Sequence, residues 1–286
     1  MKILRPEMAE WVPTTKALSV QVMGVLNLTA DSFSDGGLLR STEAALAHAR
    51  RLIADGADLL DVGAESTRPG AAPVPEADEI ARLVPLIAAV RAESGVPISV
   101  DTMKPAVARA AMQAGATIWN DVTALRHSPD SLATAAELGC GVVLMHMKGE
   151  PATMQAEPTY DDVVTEVCAF LAARAQAAMA AGVARERIWL DPGVGFGKHM
   201  TRHNLPLLRG LEAVVSLGFP VLLGVSRKSF IGAVDGGGRG PDARLGGSIA
   251  GALWGAQAGV AAVRVHDVRE TVQALRVWTA IGEAGR

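Results

Sequence analysis

The chain has 286 residues, 49% of them hydrophobic, and a formal net charge of −3. That length suits one α/β barrel of about 250 residues with a short extension, and the apolar share is enough to bury a large core. A near-balanced charge with no basic block argues against nucleic acid as the main partner.

From the N-terminus, MKILRP lacks the apolar run and small-residue cleavage site of a signal peptide, so a cytoplasmic protein is expected. Residues 1–17 precede the first repeating unit and are expected to form an N-terminal extension, a strand or arm over the base of the fold. No composition break marks a linker after them, so residues 18–286 read as one domain. Apolar runs rich in Val, Ile and Leu predict strands at 20–27, 59–63, 98–101, 117–120, 142–147, 188–191, 221–226 and 261–266. Helix signals lie between them. Ser41 precedes an Ala-rich stretch closed by Gly56. Ile80, Leu83, Val84, Ile87 and Val90 share one face of a helix over 76–93. Pro105 opens a helix ending at Gly115, and Val268, Val272 and Leu275 stripe the last one. Eight strands alternating with helices predict a single (β/α)8 TIM barrel, with a doubly wound open sheet as the alternative. The uncharged stretch 245–263 is nearly long enough to span a bilayer but is only weakly apolar. Glycines spaced by four from Gly247 to Gly259 instead predict a helix face for close packing, within the chain or against a second subunit. No membrane association is expected. Cys140 and Cys168 form no CxxC and read as reduced thiols.

The strand ends carry the chemistry. In chain order they run into Asn27; Glu65 to Arg68; Asp101-Thr102; Asn120-Asp121; His146; Asp191; Ser226-Arg227-Lys228; and Arg264-Val265-His266. In a barrel these ends converge on the face where active sites sit. Asp101, Asn120, Asp191 and Lys228 suit the edge of a flat heterocycle, because a carboxylate accepts two parallel hydrogen bonds from an amidine-like edge and Asn both donates and accepts. Arg68, Arg264 and His266, with Asn27 and the Ser66 and Thr67 hydroxyls, suit an anion, since Arg meets phosphate oxygens bidentately. Asn27 can hold a Mg²⁺ that shares its other ligands with a diphosphate and water. A heterocycle site beside a diphosphate site is what a heteroaryl-methyl diphosphate requires.

Several segments closely resemble the signatures of dihydropteroate synthases, pterin-binding barrels. They are GVLNLTADSFSDGG at 24–37, DVGAESTRPG at 61–70, SVDT at 99–102, NDV at 120–122, MHM at 145–147, DPGVGFGK at 191–198, SRKS at 226–229 and RVHD at 264–267. They occur in the family's order from about residue 22 onward. The chain departs from the family at Ala30, where Pro is usual, and at Ala64, where Gly is usual. Ala30 is expected to loosen the loop after the first strand and so to alter 4-aminobenzoate affinity or sulfonamide response. The run GGGRG at 236–240 reads as a loose surface loop.

The resemblance implies a dihydropterin diphosphate bound by Asp101, Asn120, Asp191 and Lys228, with Met145 and Phe196 packed on the ring. It places the diphosphate against Asn27 with Mg²⁺, Thr67, Arg68, Arg264 and His266. The loops 28–39 and 66–75 are expected to close over the site. Phe33, Thr67, Pro69, Phe196, Ser226 and Lys228 would then form the 4-aminobenzoate pocket, where sulfonamides compete. Catalysis would rest on Asp101, Lys228, Arg264 and His266, in a cytoplasmic homodimer. The alternatives are a pterin-binding methyltransferase-type barrel, which has no need for the SRK run together with Arg264 and His266, and a silent pterin-binding paralogue, against which stands the retention of every expected polar residue. The GVGFGK run also looks like a phosphate loop, yet Pro192 and His199 stand where a Walker A motif needs Gly and Ser or Thr. His199 and His203 lack a third metal ligand, His127 reads as a surface residue, and Trp119 as core.

Overall fold

The structure, a computed structural model, describes residues 20–28, 37–66, 72–149, 154, 158–237 and 240–284, with backbone alone at 37–41. The expected extension over 1–17, Ala30, and most of the two loops expected to close over the site lie outside the described residues.

Each apolar run becomes a short strand buried on both faces, and each amphipathic stretch after it returns along the outside to start the next. The order is β1 (Gln21–Asn27), α1 (Gly37–Ala54), β2 (Leu59–Gly63), α2 (Glu76–Glu93), β3 (Ile98–Asp101), α3 (Pro105–Ala114), β4 (Ile118–Asp121), α4 (Ser131–Leu138), β5 (Gly141–Met145) and α5 (Val163–Ala180). It continues with β6 (Ile188–Asp191), α6 (Asn204–Arg209), α7 (Leu211–Val215), β7 (Leu222–Gly224), α8 (Ser229–Asp235), α9 (Leu245–Ala258), β8 (Ala262–Val265) and α10 (Val268–Glu283). The strands lie side by side in chain order, all parallel, and β8 returns to β1. A single parallel bridge from Leu190 to Val221 closes β6 onto β7. The chain therefore forms a (β/α)8 barrel rather than an open sheet. Some boundaries differ from the sequence reading. Helix α1 starts at Gly37, before Ser41; β5 ends at Met145, leaving His146 just past it; β7 keeps three residues, since the chain turns at Ser226-Arg227.

Strand alternation sorts the side chains. One face of every strand points outward into the helix layer, among them Leu26, Val62, Val100, Trp119, Leu144, Leu190, Leu223 and Val263. The other face points into the barrel. Its lower inward positions, Met23, Leu59, Ile118, Val143, Trp189, Leu222 and Ala262, form a separate apolar plug. Two residues further along, the same face turns polar: Asp61, Asp101, Asn120, Asp191 and Arg264. The plug is the floor of the site, and the polar ring is its wall.

The glycine face of α9 is used within the chain. A Cβ at Gly247, Gly251 or Gly255 would lie 2.2, 2.9 or 2.5 Å from Ile231, Val225 and Leu223 respectively. These glycines let α9 press against β7 and α8. Helix α5 is long and apolar enough to span a bilayer, but Val163, Val167, Leu171, Ala175 and Ala178 form a buried stripe facing the barrel. Both cysteines are free thiols, Cys140 buried and Cys168 half-buried.

Candidate active site

Asp101 ends β3 with its carboxylate inside the barrel mouth, where it accepts from Arg264 Nη2 at 3.0 Å. The other arm of Arg264 reaches Asp61, Nε to Oδ2 at 2.6 Å. Asn120 Nδ2 also points at Asp61, 3.3 Å from each oxygen. Asp61 is fully buried, and sequence reasoning passed over it as part of a motif. The available signal was a lone carboxylate inside the apolar run LLDVG, at an inward strand position. Burial, and then the neighbouring Asp61, push Asp101 up to about 7, while Arg264 opposes the shift. Burial works against the charge of Arg264, but Asp61 and Asp101 outweigh it and hold the guanidinium firmly protonated. Arg264 thus stands between two strand-end carboxylates, paired with both Asp61 and Asp101.

Across the mouth, Asp191 ends β6 and takes the Gly193 N–H at 2.6 Å. Burial raises its pKa, against the pull of Lys228. Lys228 caps α8 and donates Nζ to the Val194 carbonyl, with the amine 4.7 Å from the centre of the Phe196 ring. Burial first, and then Arg264, lower Lys228 to about 8. Gly224 lies under this amine, where a Cβ would be in ordinary contact at 3.7 Å from Nζ. Lys228 is aimed by its neighbour. Arg227 sits at φ 60, a strained value for a non-glycine residue. Its guanidinium is held by Asp267 at 3.0 and 2.6 Å and by Asp242 at 2.6 Å, and its backbone by Ser248 and Arg244. Met145 joins Val122, Met147, Met154 and Phe196 in an apolar wall beside the ring.

Ser226 and His266 meet on the next side, Nδ1 to Oγ at 3.0 Å, and the His266 N–H also reaches Oγ at 3.2 Å. Asn27 ends β1 exposed, and its Oδ1 lies 3.6 Å from where a Cβ of Gly63 would stand, beside Asp101. The structure therefore brings Asn27, Asp101, Asn120, Met145, Asp191, Phe196, Ser226, Lys228, Arg264 and His266 to the C-terminal mouth of the barrel. Phe33, Thr67, Arg68 and Pro69 lie outside the described residues.

Not every polar strand end belongs to the site. Asp121 folds onto its own loop, accepting from the Thr123 and Leu125 N–H groups at 2.7 and 2.9 Å. This supports Ala124 and Leu125 at positive φ. His146 is buried against Lys198, and burial plus that amine lower it to about 3. Trp119 is core, its Nε1 on the Thr102 carbonyl at 2.7 Å, and His127 is exposed. Lys104 bridges Glu65, Glu79 (2.8 Å) and the Val74 carbonyl (2.7 Å), tying together both ends of the β2–α2 connection.

The pterin binding enzyme family matches residues 23–266 of the chain. Dihydropteroate synthase of Escherichia coli (strain K12) is 48% identical over 256 residues, 90% of this chain and 89% of that protein. The chain belongs to the dihydropteroate synthase family. Among solved structures, the Xanthomonas albilineans dihydropteroate synthase with 4-aminobenzoic acid superposes with a TM-score of 0.86 at 49% identity, covering 93% of this chain and 94% of that one. The Burkholderia cenocepacia enzyme complexed with 7,8-dihydropteroate gives 0.84 at 48%, covering 94% and 93%. The Yersinia pestis enzyme with a sulfonamide drug gives 0.86 at 44%, covering 93% and 95%.

Proposed function

We infer that the chain is a dihydropteroate synthase, a transferase that condenses a dihydropterin diphosphate with 4-aminobenzoate to give dihydropteroate and diphosphate. The observation that carries the assignment of roles is the ring of buried Asn120 and Asp191 and half-buried Asp101 and Lys228 over an apolar floor. A flat ring with amidine and amide edges fits there: Asp191 and Asn120 take its donors, Lys228 donates to its carbonyl, and Met145 and Phe196 cover its faces.

Breaking the methylene–oxygen bond leaves cationic character on the pterin, and in this reading Asp101 is the carboxylate that stabilises it. In this reading Arg264 and His266, together with Thr67 and Arg68, hold the departing diphosphate. Asn27 fits a Mg²⁺ through one exposed amide oxygen at the rim, because that ion needs few protein ligands when a diphosphate supplies the rest. When bound, the ion would neutralise leaving-group charge. The neutral arylamine of 4-aminobenzoate attacks the methylene without prior deprotonation and loses its proton afterwards, so neither a side-chain nucleophile nor a strong general base is needed. Phe33, Thr67, Pro69, Phe196, Ser226 and Lys228 would bound its pocket, where sulfonamides compete. The protein works in the cytoplasm as a homodimer, and the apolar groove between α6, α8 and α9, with exposed Leu205, Val234 and Trp254, is the surface for the second copy.

The test is diphosphate release from dihydropterin diphosphate and Mg²⁺, with and without 4-aminobenzoate. Release that requires 4-aminobenzoate, yields dihydropteroate and falls by about a hundredfold or more in Asp101→Asn is expected. Tight pterin binding with no release in the parent would overturn the reading in favour of a silent pterin binder.

A further inference from the structure

Lys198 closes the run that looks like a phosphate loop, yet its side chain is buried beneath that loop. It is 1% exposed, and Nζ lies 2.9 Å from the Gly193 carbonyl, 3.0 Å from the Phe196 carbonyl, 2.9 Å from His146 Nδ1 and 3.5 Å from the His146 carbonyl. An ammonium has three hydrogens, and these acceptors use all of them. None of them is a carboxylate. Burying an amine among carbonyls costs desolvation, and burial indeed lowers the Lys198 pKa well below the usual lysine range. A methionine of similar length would fill the same space without that cost, so packing alone does not call for an amine here.

The amine instead sets the shape of the 191–198 loop. Gly193, Gly195 and Gly197 all have positive φ, at 63°, 86° and 58°. A Cβ at Gly193 would sit 1.9 Å from the His146 carbonyl, and one at Gly197 2.1 Å from the Lys148 carbonyl, so the loop lies flat on the backbone after β5. Lys198 holds its underside by two carbonyls. Buried Asn204 holds its middle, accepting the Gly195 N–H at 2.8 Å. The upper side then presents the Val194 carbonyl to Lys228 Nζ and the Phe196 ring beside it, with Gly195 along the Lys228 stem, 3.4 Å from Cδ to its Cβ position. The contact crosses the β6–β7 seam, where the strands themselves share one bridge.

We propose that Lys198 is a positioning residue for the reaction. Its buried amine, with Asn204, fixes the 191–198 loop so that Val194 and Phe196 hold Lys228 over the pterin pocket. The inference rests on the synthase reading but is tested separately from it. The experiment is a double-mutant cycle on the full chain, using Lys198→Met, Lys228→Met and both together. The readouts are the Kd for dihydropterin diphosphate without 4-aminobenzoate, kcat and KM for each substrate, and Tm. Lys198→Met is expected to weaken pterin binding roughly tenfold while staying folded, and to add less than about twofold once Lys228 is Met. The same cycle with Asn204→Ala, which frees the Gly195 N–H, decides the matter if Lys198→Met does not fold. Equal effects of Lys198→Met in both backgrounds, or losses that track Tm alone, would overturn the proposal. An inactive parent sinks the synthase reading, while the Kd cycle still decides the role of Lys198.

Discussion

Asp101 and Lys228 both line the barrel mouth, with pKa values drawn toward each other, to about 7 and about 8, by burial. The active form needs the carboxylate charged and the amine protonated. As pH rises through 7 Asp101 ionises and the rate climbs; as it passes 8 Lys228 loses its proton and the rate falls. The kcat/KM for dihydropterin diphosphate, which reports the free enzyme, is therefore expected to be bell-shaped over that narrow range. Asp61 is one of the charges that raises Asp101. Asp61→Asn should move the acid limb to lower pH while leaving the alkaline limb in place, and an unmoved acid limb would show that Asp101 does not set it. At this scale the sequence was legible in location, since Asp101, Asn120, Asp191 and Lys228 all come to the barrel mouth as expected. What Asp61 and Lys198 bind was not legible, because their partners, Arg264 and the His146 region, are 203 and 52 residues away in the chain.

Strands and helices follow from pattern, while their close approaches follow from the neighbours they meet. Helix α9 shows the difference. Its glycine spacing predicted a tight face, but only the fold says that this face meets Ile231, Val225 and Leu223. A methyl group at Gly255 would lie 2.5 Å from Leu223 Cδ2. Gly255→Ala should therefore destabilise the protein by about 1–3 kcal/mol in urea unfolding. Gly246→Ala, on the same helix with nothing within 4 Å, should be neutral or stabilising by up to about 1 kcal/mol. Equal effects of the two would mean that helix propensity, and not contact, governs α9. The polar strand ends divide in the same way. Asp121 and His146 carry the same sequence signal as Asp101, but one folds onto its loop and the other under it, because each points out of the barrel rather than into it.

The whole barrel sets where two molecules can meet. With the glycine face of α9 occupied by its own chain, the exposed apolar residues left nearby are Leu205, Val234 and Trp254 around one groove. The chain is expected to sediment as a dimer, and Val234→Glu, at a side chain 61% exposed, should shift it toward monomer with Tm little changed. A monomeric parent would remove the groove from consideration. The sequence by itself determined the (β/α)8 plan, the helix and strand order, the family, and most of the residues at the mouth, because strand period, Gly and Pro punctuation and motif order are local properties of a chain. Only the tertiary structure decided which inward position of each strand is floor and which is wall, that Arg264 is clasped by Asp61 and Asp101, and that Lys198 supports the loop rather than a phosphate. Those depend on strand register and barrel closure, which bring together groups that the chain keeps far apart.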